Sequence, residues 1–132
     1  MRSINVSIIL GDSPLPGLND YTGACRANPH AGAAMKRKAE NRIKNAMHVF
    51  YHDDDPDEPG SDQYDVTFTW AEKSRRRDPD NIAFAKKFIL DVLVAEGIIP
   101  NDRASTIASF TDRFTYSKEQ GYGVTVRLAT IF

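Results

Sequence analysis

Three carboxylates, Asp78, Asp80 and Asp102, and one cation, Lys87, are the residues whose types and spacing could do chemistry in this chain. They lie in or follow the run Arg75-Arg76-Arg77-Asp78-Pro79-Asp80-Asn81, so acids and bases abut. Magnesium prefers oxygen ligands and takes one or two protein carboxylates together with water and substrate phosphate. Clustered aspartates beside Lys and Arg therefore suit metal-assisted phosphodiester hydrolysis. The competing reading is a capped helix: Asp80 stands where an N-cap belongs, and Asp78-Pro79 makes an ordinary pre-helix turn.

The elements that must position these residues are legible in outline. At about 100° per residue from Asn81, Ile82, Ala85, Phe88, Ile89, Val92 and Leu93 share an apolar face. Asp80, Lys87 and Asp91 fall on the opposite side, from which the lysine can reach back towards the acids. As a mere surface pair, Lys87 and Asp91 would contribute only about 0.2–0.5 kcal/mol, with the lysine on the less favourable N-terminal side. Glu96-Gly97, then Pro100, stops the helix. A strand from about Ala104 is then expected to return beside the strand that delivers Asp78, bringing Asp102 towards the other two acids. Lys73, Arg75, Arg76 and Arg77, with Lys86 on the helix, form a basic surround expected to face phosphate.

The segment Arg77-Asp78-Pro79-Asp80-Asn81, then Lys87-Phe88-Ile89-Leu90-Asp91-Val92-Leu93, then Gly97-Ile98-Ile99-Pro100-Asn101-Asp102 resembles the signature of the RusA-like Holliday junction resolvases. That resemblance implies a magnesium-dependent, homodimeric endonuclease of phage or prophage origin, acting in DNA recombination and repair in a bacterial cytoplasm. It would resolve four-way junctions by paired nicks, with manganese as a substitute ion. It implies Asp78, Asp80 and Asp102 as the metal ligands and Lys87 as the essential lysine, with Asn81 and Asp91 in support. Two departures stand out. Compact members of the family place the lysine three residues after the Asn, whereas Lys86 and Lys87 stand five and six after Asn81. The added turn shifts a side chain about 4.5 Å along the axis while keeping its face. The four-residue spacing to Asp91 favours Lys87 over Lys86. Asn101 also replaces the first acid of the family's usual acidic pair. A non-catalytic branched-DNA-binding module, and a nuclease acting on flaps or forks, are the alternatives.

Composition is compatible with this reading. A chain of 132 residues with 41% hydrophobic and 27% charged side chains can bury one core. No apolar run approaches the roughly 20 residues of a membrane span, and Met1-Arg2-Ser3 leads straight into a strand, so a cytoplasmic protein without membrane contact is expected. Cys25 is alone, and His30, His48 and His52 lack zinc-ligand spacing. The net charge of −1 conceals an uneven distribution. Residues 52–62 hold six acids and no Lys or Arg, and without them 17 basic side chains face 12 acidic ones, a net of +5. That segment is expected to be an acidic connection.

The expected architecture is a single α+β domain, β-α-β-α-β-β, with a mixed sheet of about four strands and two main helices. Ile4, Val6 and Ile8 alternate in the first strand. Residues 11–33 read as a long loop that contacts DNA or a second subunit. An amphipathic helix over about 32–51 presents Met35, Ala39, Ile43, Met47 and Phe50 on one face. A strand over 63–71 buries Tyr64, Val66, Phe68 and Trp70, and the last two strands, near 104–117 and 121–131, are expected to form a hairpin.

Overall fold

A computed structural model describes residues 1–53 and 63–131. The acidic segment thus lies mostly outside the described residues. Among these residues, five strands form one mixed sheet: β1 (Arg2–Gly11), β2 (Met47–Asp53), β3 (Tyr64–Glu72), β4 (Ile107–Tyr116) and β5 (Tyr122–Thr130), in the order β2-β1-β5-β3-β4. Four helices among the same residues join them: α1 (Leu18–Ala27), α2 (Pro29–Ala46), α3 (Pro79–Ala83) and α4 (Lys86–Ala95). The α+β class and the mixed sheet are as expected, with one more strand.

Period-two alternation builds the sheet. Ile4, Val6 and Ile8, Val66, Phe68 and Trp70, and Val124, Val126 and Leu128 are buried beneath Ala39 and Ile43 of α2 and Phe88, Ile89, Val92 and Leu93 of α4. The intervening Ser7, Thr67, Thr69, Thr125 and Arg127 stay partly or fully exposed. Burying each large aliphatic or aromatic side chain contributes about 1.5–3 kcal/mol, which makes this face the main source of stability.

Four expectations need correction. The stretch 11–33 is not a loop: α1 occupies its middle and α2 begins at Pro29. The Asn28 side chain accepts hydrogen bonds from the His30 and Ala31 N–H groups, and Pro29 fills the first helical position, where its missing N–H costs nothing. The second helix stops at Ala46 rather than near 51, because Met47, Val49 and Tyr51 pair with β1 as an antiparallel strand, leaving Phe50 60% exposed. The last two strands are not a hairpin: β3 lies between them, antiparallel to β5 and parallel to β4. Their connection crosses the end of β3, where the Ser117 N–H donates to the Glu72 carbonyl.

The fourth concerns the helix after Asp78. It is two pieces, α3 and α4, joined at Phe84-Ala85 by tight i→i−3 bonds: Ala85 to Ile82, Lys87 to Phe84 and Phe88 to Ala85. Such turns advance about 120° per residue instead of 100°, so a uniform helical count drifts across the junction. The stop at Gly97 is as expected. Its φ is +74°, and the Ile98 N–H reaches the Leu93 carbonyl while the Gly97 N–H reaches Val94, a Schellman motif.

Candidate functional site

Asp78 is the N-cap residue of α3 and Asp80 its second residue, so the helix begins two positions earlier than the cap reading of Asp80 requires. The Asp78 carboxylate accepts no capping hydrogen bond. Asp80 accepts one, from the N–H of the adjacent Asn81 at 2.9 Å. Both side chains are exposed. A capping duty therefore accounts for little of this acid pair, and its oxygens remain open to a cation.

What fixes the pair in place lies behind it. The Arg77 guanidinium grips the Glu72 carboxylate through two bonds, Nε to Oε1 at 3.0 Å and Nη2 to Oε2 at 2.9 Å, and donates a third to the Leu15 carbonyl at 3.0 Å. The Glu72 side chain is only 5% exposed and that of Arg77 21%. Bidentate Arg–carboxylate pairs are geometrically strict. One residue before Asp78, the backbone is thus tied to the end of β3 and to the β1–α1 connection.

Asn81 makes a second tie. Gly17, the N-cap of α1, has no side chain to satisfy the first N–H groups of that helix, and Asn81 Oδ1 supplies the acceptor, 2.9 Å from the Asn19 N–H. Asp20 Oδ2 accepts the Gly17 N–H at 2.9 Å. The approach is close enough that a Cβ on Gly17 would stand 2.5 Å from Asn81 Oδ1 and 2.9 Å from the Asn81 carbonyl oxygen, so only glycine fits. Tyr21 of the same helix packs on Phe84 and Phe88, with ring centroids 5.5 and 5.7 Å apart. Residues 17–21 thus buttress the acid-bearing helix. Asn28-Pro29 signals the start of α2 in the sequence, while the Asn81–Gly17 contact has no such local signal.

The basic surround divides into committed and free groups. Lys73 pairs with Asp12 at 2.6 Å, and this bond and its charge hold the Asp12 carboxyl below the ordinary carboxylate range. Arg75 stacks over the Tyr116 ring at 4.3 Å. Arg77 is held as described, with three of its five donors used. Arg76 is exposed, its backbone N–H resting 3.4 Å from Ser74 Oγ. The two lysines separate equally clearly. Lys86 Nζ is 2.7 Å from Asp112 Oδ2 on β4 and sits over the Phe68 and Phe110 rings, while Trp70 Nε1 donates to the other Asp112 oxygen at 2.9 Å. Lys87 points to solvent. Asp91 pairs with Lys36 of α2 at 3.1 Å rather than with Lys87; that hydrogen bond, outweighing burial, raises the Lys36 pKa.

Asp102 is exposed, but it is not beside the other two acids. Because β4 runs parallel to β3, it starts at the Tyr64 end, whereas Asp78 and Asp80 follow the Glu72 end. The expected convergence of all three acids within one chain does not occur. Among the described residues, no three His, Cys, Asp or Glu side chains come together as a group that could hold a metal ion. Among the same residues, no helix is long and apolar enough to cross a membrane. No protein-family model matches this sequence, and no curated protein matches it.

Proposed function

We propose that the protein is a divalent-metal-dependent endonuclease acting on branched DNA, resolving four-way junctions as a homodimer. The observation that carries this reading is the exposed Asp78 carboxylate, two residues before Asp80 and free of capping bonds, on a backbone pinned by Arg77 to the buried Glu72 carboxylate. Rigid support behind open carboxylates is what a cation site needs and what a solvated helix start does not.

Asp78 and Asp80 would hold Mg²⁺, with Mn²⁺ as substitute; two carboxylates meet the usual protein share of a magnesium shell. When bound, the ion would polarise the phosphate and lower the pKa of a water molecule. Lys87, unpaired on the exposed face of α4, would donate to phosphoryl oxygens as negative charge develops. Arg76 has its guanidinium free for the DNA backbone, and Arg75, exposed and stacked on Tyr116, keeps its N–H donors available for phosphate. Lys73 and Lys86 would act on DNA only after giving up their present partners, and Arg77 serves the protein.

A branched-DNA-binding module without cleavage is the second reading, favoured by the lack of a three-ligand group among the described residues. Cleavage of a labelled four-way junction, beside linear duplex and flap controls, separates them, using wild type and Asp80→Asn with Mg²⁺ or EDTA. Symmetric nicks that need metal and vanish in the variant are expected. Tight binding without nicks in Mg²⁺ or Mn²⁺ would leave the module, and preference for flaps would move the substrate.

A further inference from the structure

The helices cover one face of the sheet, and no described helix covers the other. On that second face the side chains, from Ser7 and Ile9 of β1 to Thr111 and Arg113 of β4, are partly or fully exposed. Strand register sets them in cross-strand rows: Phe50, Asn5, Arg127 and Thr67 form one, and Ser7, Thr125, Thr69 and Arg113 the next. Neither Arg113 nor Arg127 meets an acidic partner among the described residues. The acid that the described strands show on this face, Asp65, already accepts the Ser109 hydroxyl at 2.6 Å. The two arginines stand on β4 and β5, on either side of β3 and two residues apart in register. Their Cα atoms are thus roughly 12 Å apart, at about 4.8 Å per strand and 3.3 Å per residue.

Beside these rows, towards the Glu72 end of β3, lies a hollow of about 410 Å³ lined by Ser7, Ile9, Thr69, Thr115 and Thr125. Clefts of about 300–1,000 Å³ take small molecules, which leaves room here for one unstacked base. Ile9 is 70% exposed and Phe50 60%, so the face also offers apolar surface.

Charge and shape select the occupant. Two copies stacked face to face would set two cations of each against one acid that is already bonded. A duplex presents phosphates but keeps its bases stacked inside, which leaves Ile9 and Phe50 facing a charged backbone. A single strand offers both chemistries: phosphates for guanidinium groups and hydroxyls, and bases for aromatic and aliphatic surface.

We infer that the uncovered sheet face binds single-stranded DNA, with Arg113 and Arg127 on phosphates, Phe50 stacked on one base and the hollow holding another. Ala71 also lines the hollow, one residue before Glu72, so the bound strand leads towards the end of β3 that precedes Asp78. This surface goes beyond the metal-site reading and does not require it, because Asp78, Asp80 and Asp102 take no part in it.

Fluorescence anisotropy of a labelled oligothymidylate of about 15 nucleotides, in EDTA, tests the surface against a blunt duplex of the same length. Wild type should bind the single strand more tightly than the duplex. In Arg113→Gln/Arg127→Gln the slope of log K against log salt should fall by about 1.4, at about 0.7 per phosphate contact on a single strand. Phe50→Ala should weaken binding about 5- to 150-fold, the loss of one stacked base, with the slope unchanged. Arg37→Gln/Lys38→Gln alters exposed cations of α2, in the helix layer, and should change neither quantity. All five side chains are exposed, and equal denaturant midpoints check that each variant is folded. Equal affinity for duplex and single strand, or losses confined to the α2 variant, would overturn the inference. So would wild-type dimers that the sheet-face variants abolish, since a second copy would then occupy the face. Junction cleavage is read separately. A protein that binds the oligonucleotide through this face yet never nicks a junction loses the nuclease reading and keeps the surface, whereas nicking without oligothymidylate binding does the reverse.

Discussion

Replacing Arg77 by Met should be among the most destabilising single changes outside the apolar core. The Glu72 carboxylate is 5% exposed and receives two guanidinium bonds at 2.9 and 3.0 Å, so removing the cation strands a buried charge. Breaking a buried pair from one side costs about 3–5 kcal/mol, and the Leu15 carbonyl loses its donor as well. The upper half of that range is therefore expected near pH 8, or a fall in Tm of roughly 10–25 °C for a domain of this size. Glu72→Gln keeps the shape and one of the two guanidinium bonds while removing the charge, and should cost less, about 1.5–3 kcal/mol. Urea unfolding of the three proteins at pH 8 measures this directly. An Arg77→Met loss below about 0.5 kcal/mol at pH 8, the size of an ordinary surface change, would refute the clamp and return Arg77 to the solvated basic run.

The lysines should part company: Lys86→Met costs about 1–3 kcal/mol by leaving Asp112 short of its donor, seen in denaturant midpoints. Lys87→Met should leave stability within about 0.5 kcal/mol while lowering junction cleavage by about 10²–10³-fold, measured in single turnover. In salt titrations of junction binding, Arg76→Met should reduce the slope by about one unit, and Asp80→Asn should not reduce it. Asn81→Ala should cost about 1 kcal/mol through the lost acceptor at α1. Gly17→Ala should remain destabilising in that background, because the Asn81 carbonyl oxygen still stands 2.9 Å from the added Cβ; thermal melts of both single variants and the double variant check this. Lys36, whose pKa is raised in the folded state by Asp91, contributes stability fully present below its unfolded pKa and lost as pH rises through the folded value. An NMR titration should show that raised pKa falling in Asp91→Asn.

Local rules carry far along this chain because the features they read are local. The Gly97 stop, the alternation in β1 and β3 and the apolar face from Ile82 to Leu93 each depend on neighbours within a few residues, and each stands in the fold. Where two local signals compete, the stronger one sets the element: Asn28-Pro29 starts a helix, and Met47-His48-Val49-Phe50-Tyr51 is β-branched and aromatic enough to end one. The site is legible as residue types. Asp78, Asp80, Asp102 and Lys87 are all exposed, with none consumed by the core.

Pairing across the sheet was decided by tertiary structure alone. Nothing in the sequence near Lys118-Gly121 says that β3 will slip between the last two strands, because strand order depends on which apolar faces are buried together over the whole sheet. Parallel pairing then follows, and with it the distance between Asp102 and the other acids. The same holds for the bases. Arg75, Arg76 and Arg77 are identical as letters, but one stacks on Tyr116, one is free and one is bound to Glu72, since only the folded chain brings a ring or a buried carboxylate within reach. Sequence determined which groups are available for chemistry, through charge, helix punctuation and periodicity. Tertiary structure decided which are already engaged and which ends of the sheet they occupy, because those are distances between residues far apart along the chain.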